Sequence, residues 1–154
     1  RRMASCCSLA GHGTVWSNVF TNCIIRGMGH GLDPKQVWLA KTAVTYCNVE
    51  GGYPGVGNVD LDPHWAAPGL WRLHRANDPS RDVWLEGDYH LKSEAGRWDP
   101  AARRWVRDDV TSPCLDAGDP NAPVGAEPLP NGGRINLGAY GGTAEASRSY
   151  LSKP

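Results

Sequence analysis

The sequence has no run of 18 apolar residues, which excludes a membrane-spanning helix of ordinary length. Its 16 basic and 16 acidic side chains cancel, so it lacks the basic excess that nucleic-acid binding requires. It contains no C-x-x-C, H-x-x-x-H, H-E-x-x-H or G-x-S-x-G pattern. Zinc-dependent and serine-hydrolase chemistry therefore have no support in the sequence.

Cysteine pairs and long helices are also not indicated. The five cysteines are odd in number and irregularly spaced, at Cys6, Cys7, Cys23, Cys47 and Cys114. They therefore predict no disulfide framework, and we expect Cys23 and Cys47 to be buried thiols. The 19 Gly and 12 Pro leave little room for long helices, because each costs free energy inside one.

A short repeat is present near the start of the chain. Residues 21–27 (TNCIIRG) resemble residues 45–51 (TYCNVEG). Three pairs of like residues lie 24 apart: Cys23 and Cys47, Ile25 and Val49, Gly27 and Gly51. A period of roughly 20–25 residues is typical of one coil of a solenoid, with the preceding strands near residues 15–20 and 37–40. An ordinary antiparallel pair is the alternative.

The rest of the chain divides by composition within one domain, residues 1–154. We predict β-helix coils over 1–58, a Trp/Arg-rich excursion over 59–113 and an extended capping segment over 114–154. Residues 51–58 (GGYPGVGN) are turn-forming because Gly allows positive φ and Pro restricts φ. Short strands are predicted at 83–85 and 89–92. Residues 99–107 are compatible with a short helix.

Four stretches of sequence resemble a known family. They are residues 44–63 (VTYCNVEGGYPGVGNVDLDP), then 87–91 (GDYHL) with 112–120 (SPCLDAGDP), then 131–143 (NGGRINLGAYGGT). Together they resemble the C-terminal end of bacterial right-handed parallel β-helix repeat proteins of the pectin-lyase-like kind. The resemblance implies an all-β fold with a short right-handed parallel β-helix of about two coils. It also implies an extracellular or cell-surface location, with any signal lying outside this chain.

Two groups of carboxylates are candidates for chemistry. Asn58, Asp60 and Asp62 could hold Ca²⁺, which prefers hard oxygen ligands, and no other cofactor is indicated. A turn in which these side chains accept backbone N–H groups explains the same residues. Asp116 and Asp119 could form an acid–base pair, as in glycoside hydrolysis. An Asp-containing turn is again the alternative.

Tryptophan is the most unusual component of the sequence, with seven residues, five of them in the excursion. A Trp face next to Arg suits sugar rings or a protein partner. The candidate ligand-binding residues are Trp65, Trp71, Trp84, Trp98, Trp105, Arg72 and Arg97. Packing of the indoles on the solenoid wall, with Arg stems stacked over them, is the alternative.

The sequence favours a non-catalytic extracellular β-helix module that binds polysaccharide through this Trp/Arg-rich surface. A polysaccharide lyase or glycoside hydrolase that uses Asp carboxylates is the second hypothesis. The third is a structural end-cap of a larger solenoid. In that case the exposed N-terminal coil edge could pair with a second copy, because an uncovered strand edge invites pairing.

Overall fold

The computed structural model describes residues 18–26, 42–72 and 83–150, and within these ranges the protein is all-β without a helix. The strands are β1 (Asn18–Thr21), β2 (Ile24–Ile25), β3 (Thr42–Thr45), β4 (Asn48–Val49), β5 (Trp65–Ala67), β6 (Leu70–Arg72), β7 (Val83–Leu85), β8 (Asp88–Leu91), β9 (Arg97–Asp99) and β10 (Arg104–Val106). They form five two-stranded sheets. None of the described residues forms a helix able to cross a membrane.

The 24-residue repeat forms two stacked parallel layers, as predicted. β1 pairs with β3 from Asn18↔Thr42 to Thr21↔Thr45, and β2 pairs with β4 in the same register. The predicted strand at residues 37–40 lies outside the described residues. We call residues 18–26 rung 1 and residues 42–50 rung 2.

Each rung bends at one residue between its two strands. Asn22 and Tyr46 occupy equivalent positions and have left-handed φ angles of 59° and 49°. This conformation is tolerated by Asn and is uncommon for Tyr. The Asn22 N–H donates to the Tyr46 carbonyl oxygen over 3.1 Å, so the two bends are joined along the stack. Repetition of the bend keeps both strand pairs in register.

The side chains that face inward from the rungs form one apolar column. Val44, Cys47 and Val49 of rung 2 are buried, and Phe20 and Ile25 of rung 1 pack against them while only partly buried. Cys47 is buried as predicted, whereas Cys23 is half-buried. Full burial of one Val or Ile side chain contributes about 1.5–3 kcal/mol, so the column is a principal source of rung stability.

The turn-forming loop of residues 51–60 closes the outer edge of rung 2. The Asn58 amide accepts from the Cys47 N–H (3.0 Å) and donates to the Val44 (2.9 Å) and Tyr53 carbonyls. Val59 continues the ladder, because its N–H donates to the Cys47 carbonyl and its own carbonyl accepts from Val49. A side chain thus replaces part of a strand and satisfies backbone groups that would otherwise face an open edge.

Two glycines make this close approach possible. Gly57 has a φ of 70°, and a Cβ there would come within 2.2 Å of the Tyr46 ring. At Gly55 a Cβ would lie 1.9 Å from the Val44 carbonyl oxygen. Any larger residue would push the loop away from rung 2, which explains the Gly spacing in the sequence.

The excursion consists of three antiparallel strand pairs, β5–β8, β6–β7 and β9–β10. The predicted strand at 83–85 is confirmed, and the one at 89–92 is confirmed with a shift of one residue. The short helix considered for 99–107 is wrong. The Asp99 carboxylate accepts from the N–H groups of Ala101 and Ala102, and Arg103 has a left-handed φ, so the chain turns back instead.

The C-terminal segment joins the excursion to the rungs. Leu91, Cys114, Leu115 and Leu137 form a second buried cluster against which Ile24 of rung 1 packs. The Gly138 N–H donates to the Asn22 carbonyl over 2.9 Å, and the Arg148 N–H donates to the Gly96 carbonyl over 2.8 Å. The segment therefore contacts both rung 1 and the β8–β10 region.

Candidate functional site

Trp84 on β7 is a partly exposed aromatic side chain held in one orientation. Its side chain is 37% exposed, and its indole N–H donates to the Glu86 carboxylate over 3.0 Å. Gly69 lies beneath the ring, where an added Cβ would come within 2.3 Å of Cζ2. The indole is thus packed against the backbone at Gly69 and anchored at its nitrogen, while about a third of the residue stays exposed.

Tyr89 and Trp65 pack against each other next to Gly69. The two rings meet edge to face with centroids 5.3 Å apart, a favourable aromatic geometry. The Tyr89 hydroxyl lies close to Gly69, and burial together with the nearby Glu86 carboxylate raises the pKa of Tyr89. Trp65 also packs against the second buried cluster, so it is a support rather than a presented face.

Strands β6 and β7 carry further exposed apolar side chains, which by strand alternation point to the face opposite Trp84. Leu70 is 55% exposed and Val83 is 53% exposed. Arg72 is exposed and pairs with Val83 in the strand register, while Trp71 pairs with Trp84. We call residues 70–72 and 83–86 the β6–β7 ribbon. It brings together three of the predicted ligand-binding residues, Trp71, Arg72 and Trp84.

Trp98 and Trp105 lie elsewhere and pack within the structure. They face each other across β9 and β10 with centroids 5.7 Å apart, and both are half-buried. The Arg148 guanidinium lies 4.0 Å from the centroid of Trp105, a cation–π contact from the C-terminal segment. This pair therefore shows the packing that was the alternative to ligand recognition.

Arg97 is committed to internal ion pairs. Its guanidinium contacts Asp108 at 3.1 Å and Asp88 at 3.3 Å, with only 12% of its side chain exposed. Asp108 in turn accepts from the Ser93 N–H. Because its donors are taken by carboxylates, Arg97 holds β8, β9 and the loop after β10 together and offers little to a ligand.

His90 is the buried ionisable residue that sequence reasoning missed. Its side chain has no exposed surface; Nδ1 lies 2.6 Å from Asp88, and Nε2 lies 3.6 Å from Glu145. Tyr140 stacks on the ring at 3.5 Å, and burial with these two carboxylates raises the pKa of Tyr140. No substrate atom can reach a ring so enclosed, so His90 links β8 to the C-terminal segment. The GDYHL string contained it but showed no functional pattern.

The calcium candidates all make hydrogen bonds within the fold. Asn58 closes the edge of rung 2, and Asp60 accepts from the Gly51 N–H and pairs with Arg26 at 2.6 Å. Asp62 accepts from the His64 N–H over 2.8 Å. Within the described ranges there is no group of three or more His, Cys, Asp or Glu that could hold a metal. The hydrogen bonds match the turn interpretation, and calcium binding stays a prediction.

The candidate catalytic carboxylates also stabilise turns. Asp116 accepts from the Gly132 N–H over 3.1 Å, and its backbone has a left-handed φ of 52°. Asp119 accepts from the Asn121 N–H over 2.9 Å, while its own N–H donates to the Asn22 side chain. These contacts tie the C-terminal segment together, and catalysis by this pair stays a prediction.

Glu127 is a second buried group without a signal in the sequence. One carboxylate oxygen accepts from the N–H groups of Asn136 and Gly142, each over 2.8 Å. The other oxygen is buried without a hydrogen-bond partner. Burial raises the pKa of Glu127, and the two backbone donors oppose that effect. The residue organises the loop between 127 and 142.

Comparison with known proteins finds similarity over part of this region. A family model described as disaggregatase related matches residues 76–118, which includes β7 to β10. Searches among curated proteins and among solved structures gave no match. Less than half of the chain is covered, so residues 76–118 are similar to part of a disaggregatase-related family.

Proposed function

We propose that this chain is a non-catalytic, extracellular β-helix module that binds polysaccharide through the β6–β7 ribbon. The observation that carries the proposal is Trp84, an exposed indole fixed by Glu86 and supported by Gly69. A rigid aromatic face presents an apolar platform at little cost in side-chain entropy, and sugar rings have apolar faces that stack on such platforms.

The β6–β7 ribbon is exposed on both faces, which favours a polymer over a small buried ligand. Leu70 and Val83 are more than half exposed, so the ribbon is an open surface rather than a deep cavity. Exposed apolar side chains grouped with a polar rim are typical of recognition surfaces. On the face opposite Trp84, Arg72 adds an exposed guanidinium beside Val83, which could pair with the carboxylate of an acidic sugar.

The parallel rungs support the solenoid part of the proposal. The paired strands are offset by 24 residues, which is typical of one coil in a solenoid. This offset places like residues above one another at Thr21/Thr45 and Ile25/Val49. The family match over residues 76–118 includes β7 of the ribbon. The pectin-lyase-like resemblance and the extracellular location rest on the sequence motifs alone.

The test is calorimetric titration against a panel of neutral and acidic polysaccharides. We expect a subset to bind, and we expect Trp84→Ala to weaken binding about tenfold or more, equivalent to about 1.4 kcal/mol. Gly69→Ala should weaken it as well, because the new Cβ would displace the indole. Arg72→Ala should reduce binding of acidic polymers only.

The matched control is Leu129→Ala, because Leu129 is 77% exposed and lies outside the ribbon. Its affinity should equal that of the unmodified chain. Two results would contradict the proposal: no binding across the panel, or equal affinities for Trp84→Ala and Leu129→Ala. Circular dichroism of each variant would establish that the fold is retained.

A further inference from the structure

The turn at residues 131–133 contains the single Asn-Gly pair of the sequence, Asn131–Gly132, followed by Gly133. Asn131 is half-buried, and both glycines are exposed. Because Gly132 has no Cβ, nothing on that residue shields its backbone nitrogen from the side chain before it. The Asn131 amide carbon can therefore join the Gly132 nitrogen in a succinimide ring. Such a ring closure is intramolecular, so its rate depends on how the reacting groups are held.

Hydrogen bonds hold each reacting group of this turn. The Gly132 N–H donates to Asp116 Oδ1 over 3.1 Å, and the Gly133 N–H donates to Asn131 Oδ1 over 3.2 Å. Asn131 Nδ2 donates to the Glu127 carbonyl over 3.2 Å. The bond from Gly133 closes an Asx turn, which folds the Asn131 amide back along the backbone toward the Gly132 nitrogen.

Each of these contacts matches a requirement of the ring closure. The attacking nitrogen must lose its proton, and the Asp116 carboxylate already accepts a hydrogen bond from that N–H. Negative charge develops on Asn131 Oδ1 as the nitrogen adds, and the Gly133 N–H donates to this oxygen. The Glu127 carbonyl orients the amide nitrogen, which is the leaving group. The turn therefore combines a base, an oxyanion donor and an oriented leaving group.

The fold fixes the position of the base. Asp116 has a left-handed φ of 52°, and its N–H donates to Asn136 Oδ1 over 2.8 Å, which holds the backbone that carries the carboxylate. A Cβ at Gly132 would lie 2.4 Å from Asp116 Oδ2, so the carboxylate and the Gly132 backbone can approach this closely only because residue 132 is Gly.

We propose that Asn131 is a site of self-catalysed deamidation, with Asp116 as the general base. The Gly132 nitrogen bonds to Asn131 Cγ and gives its proton to Asp116. The Cγ–Nδ2 bond then breaks, and the departing nitrogen takes up that proton and leaves as ammonia. Solvent water adds to either carbonyl of the succinimide and opens it, so that residue 131 becomes aspartate or isoaspartate. The product adds a negative charge beside Asp116, and the proposal is independent of polysaccharide binding.

The test is peptide mass spectrometry of the full chain after incubation at neutral pH in water enriched in heavy oxygen. Digestion in ordinary water then adds no label, so only conversion during the incubation is counted. We expect Asn131 to convert faster in the folded chain than in the urea-unfolded chain, because the three contacts exist only in the fold. Asn121, which is exposed and precedes Ala122, should stay unmodified in the same samples.

The sign of the Asp116 effect separates catalysis from a structural role. Asp116→Asn should slow the conversion of Asn131 about tenfold or more, because the base is lost. If Asp116 only held the turn, the same change would loosen it and leave the rate unchanged or faster. Asp109→Asn is the matched control: Asp109 is exposed in the loop after β10, and the rate at Asn131 should equal that of the parent chain.

Two results would overturn the proposal. One is a slower conversion of Asn131 in the folded parent chain than in urea, a comparison that needs no variant. The other is a rate in Asp116→Asn that equals or exceeds that of Asp109→Asn, with circular dichroism establishing that both variants are folded.

Discussion

At the scale of single residues, burial decides what each ionisable group does. Glu127 and Arg97 both have charged side chains with little exposure, yet their environments differ. Arg97 has two carboxylate partners, whereas one oxygen of Glu127 has none. Each therefore makes a distinct contribution to stability.

Glu127 should make stability depend on pH in the acidic range. Its pKa is raised by burial, so folding favours the protonated form and this contribution is lost as pH rises through the folded-state pKa. In urea unfolding from pH 4 to pH 7, the free energy of unfolding of the Glu127→Gln variant should increase relative to that of the parent as pH rises. An equal pH dependence of the two proteins would contradict this assignment.

Arg97→Met should strongly destabilise the protein. The change leaves Asp88 and Asp108 without their shared partner, and Asp108 is only 11% exposed. Removing one partner of a buried ion pair costs about 3–5 kcal/mol. Denaturant midpoints would measure the effect. Arg72→Met is the control, because Arg72 is exposed and its loss should stay within about 0.5 kcal/mol.

At the scale of elements, edges and turns depend on a few side chains. In the 51–60 loop, the side-chain amide of Asn58 bonds three backbone groups. In the β9–β10 hairpin, the Asp99 carboxylate accepts two backbone N–H groups of the turn. The backbone N–H groups of Ala101 and Ala102 also hold the pKa of Asp99 below its usual value. Both devices replace regular strand or helix hydrogen bonds with side-chain ones.

Asn58→Ala should open the edge of rung 2. The Val44 carbonyl and the Cys47 N–H would lose their partners in a partly buried place, at a cost of about 2–4 kcal/mol in total. Hydrogen exchange of the Cys47 amide should accelerate accordingly. Asn121→Ala is the control, since Asn121 is exposed and bonds only with Asp119. Unchanged protection at Cys47 would show that another group closes the edge.

At the scale of the whole molecule, polar contacts connect the two buried clusters. Asn48 in rung 2 is fully buried and donates to the Leu61 carbonyl at 2.7 Å and to the Cys114 sulfur at 3.0 Å. Cys114 belongs to the second cluster, and burial raises the pKa of its thiol. One buried amide thereby connects rung 2 with Leu61 of the excursion and with Cys114 of the C-terminal segment.

Asn48→Ala should consequently destabilise the excursion as well as the rungs. Five of the seven tryptophans belong to the excursion, so the fluorescence of the chain reports mainly on this region. We expect one cooperative transition for the parent chain. The fluorescence midpoint of the variant should come earlier, equivalent to a loss of about 2–4 kcal/mol in the free energy of unfolding. The free energies of opening that hydrogen exchange reports for the rung amides should decrease by the same amount, about 2–4 kcal/mol. A fluorescence midpoint that does not move would show that the two regions unfold independently.

Much of this organisation could be predicted from the sequence. The Cys23/Cys47 and Ile25/Val49 spacing predicted the parallel register, because stacked coils place like residues at a constant interval. The Gly-rich run at 51–58 predicted a turn, because positive φ is a local property that Gly adopts most readily. The short strands near 83–85 and 89–92 followed from local composition. Such features are determined over a few residues.

Only the tertiary structure decided which polar side chains are presented and which are enclosed. Arg97 and Trp98 look as accessible in the sequence as Arg72 and Trp84, yet Asp108, beyond the β9–β10 hairpin, pairs with Arg97, and Trp105 packs on Trp98. His90 and Glu127 carried no motif, and residues far along the chain bury them. Burial depends on contacts between residues far apart in the chain, so a local pattern cannot determine it.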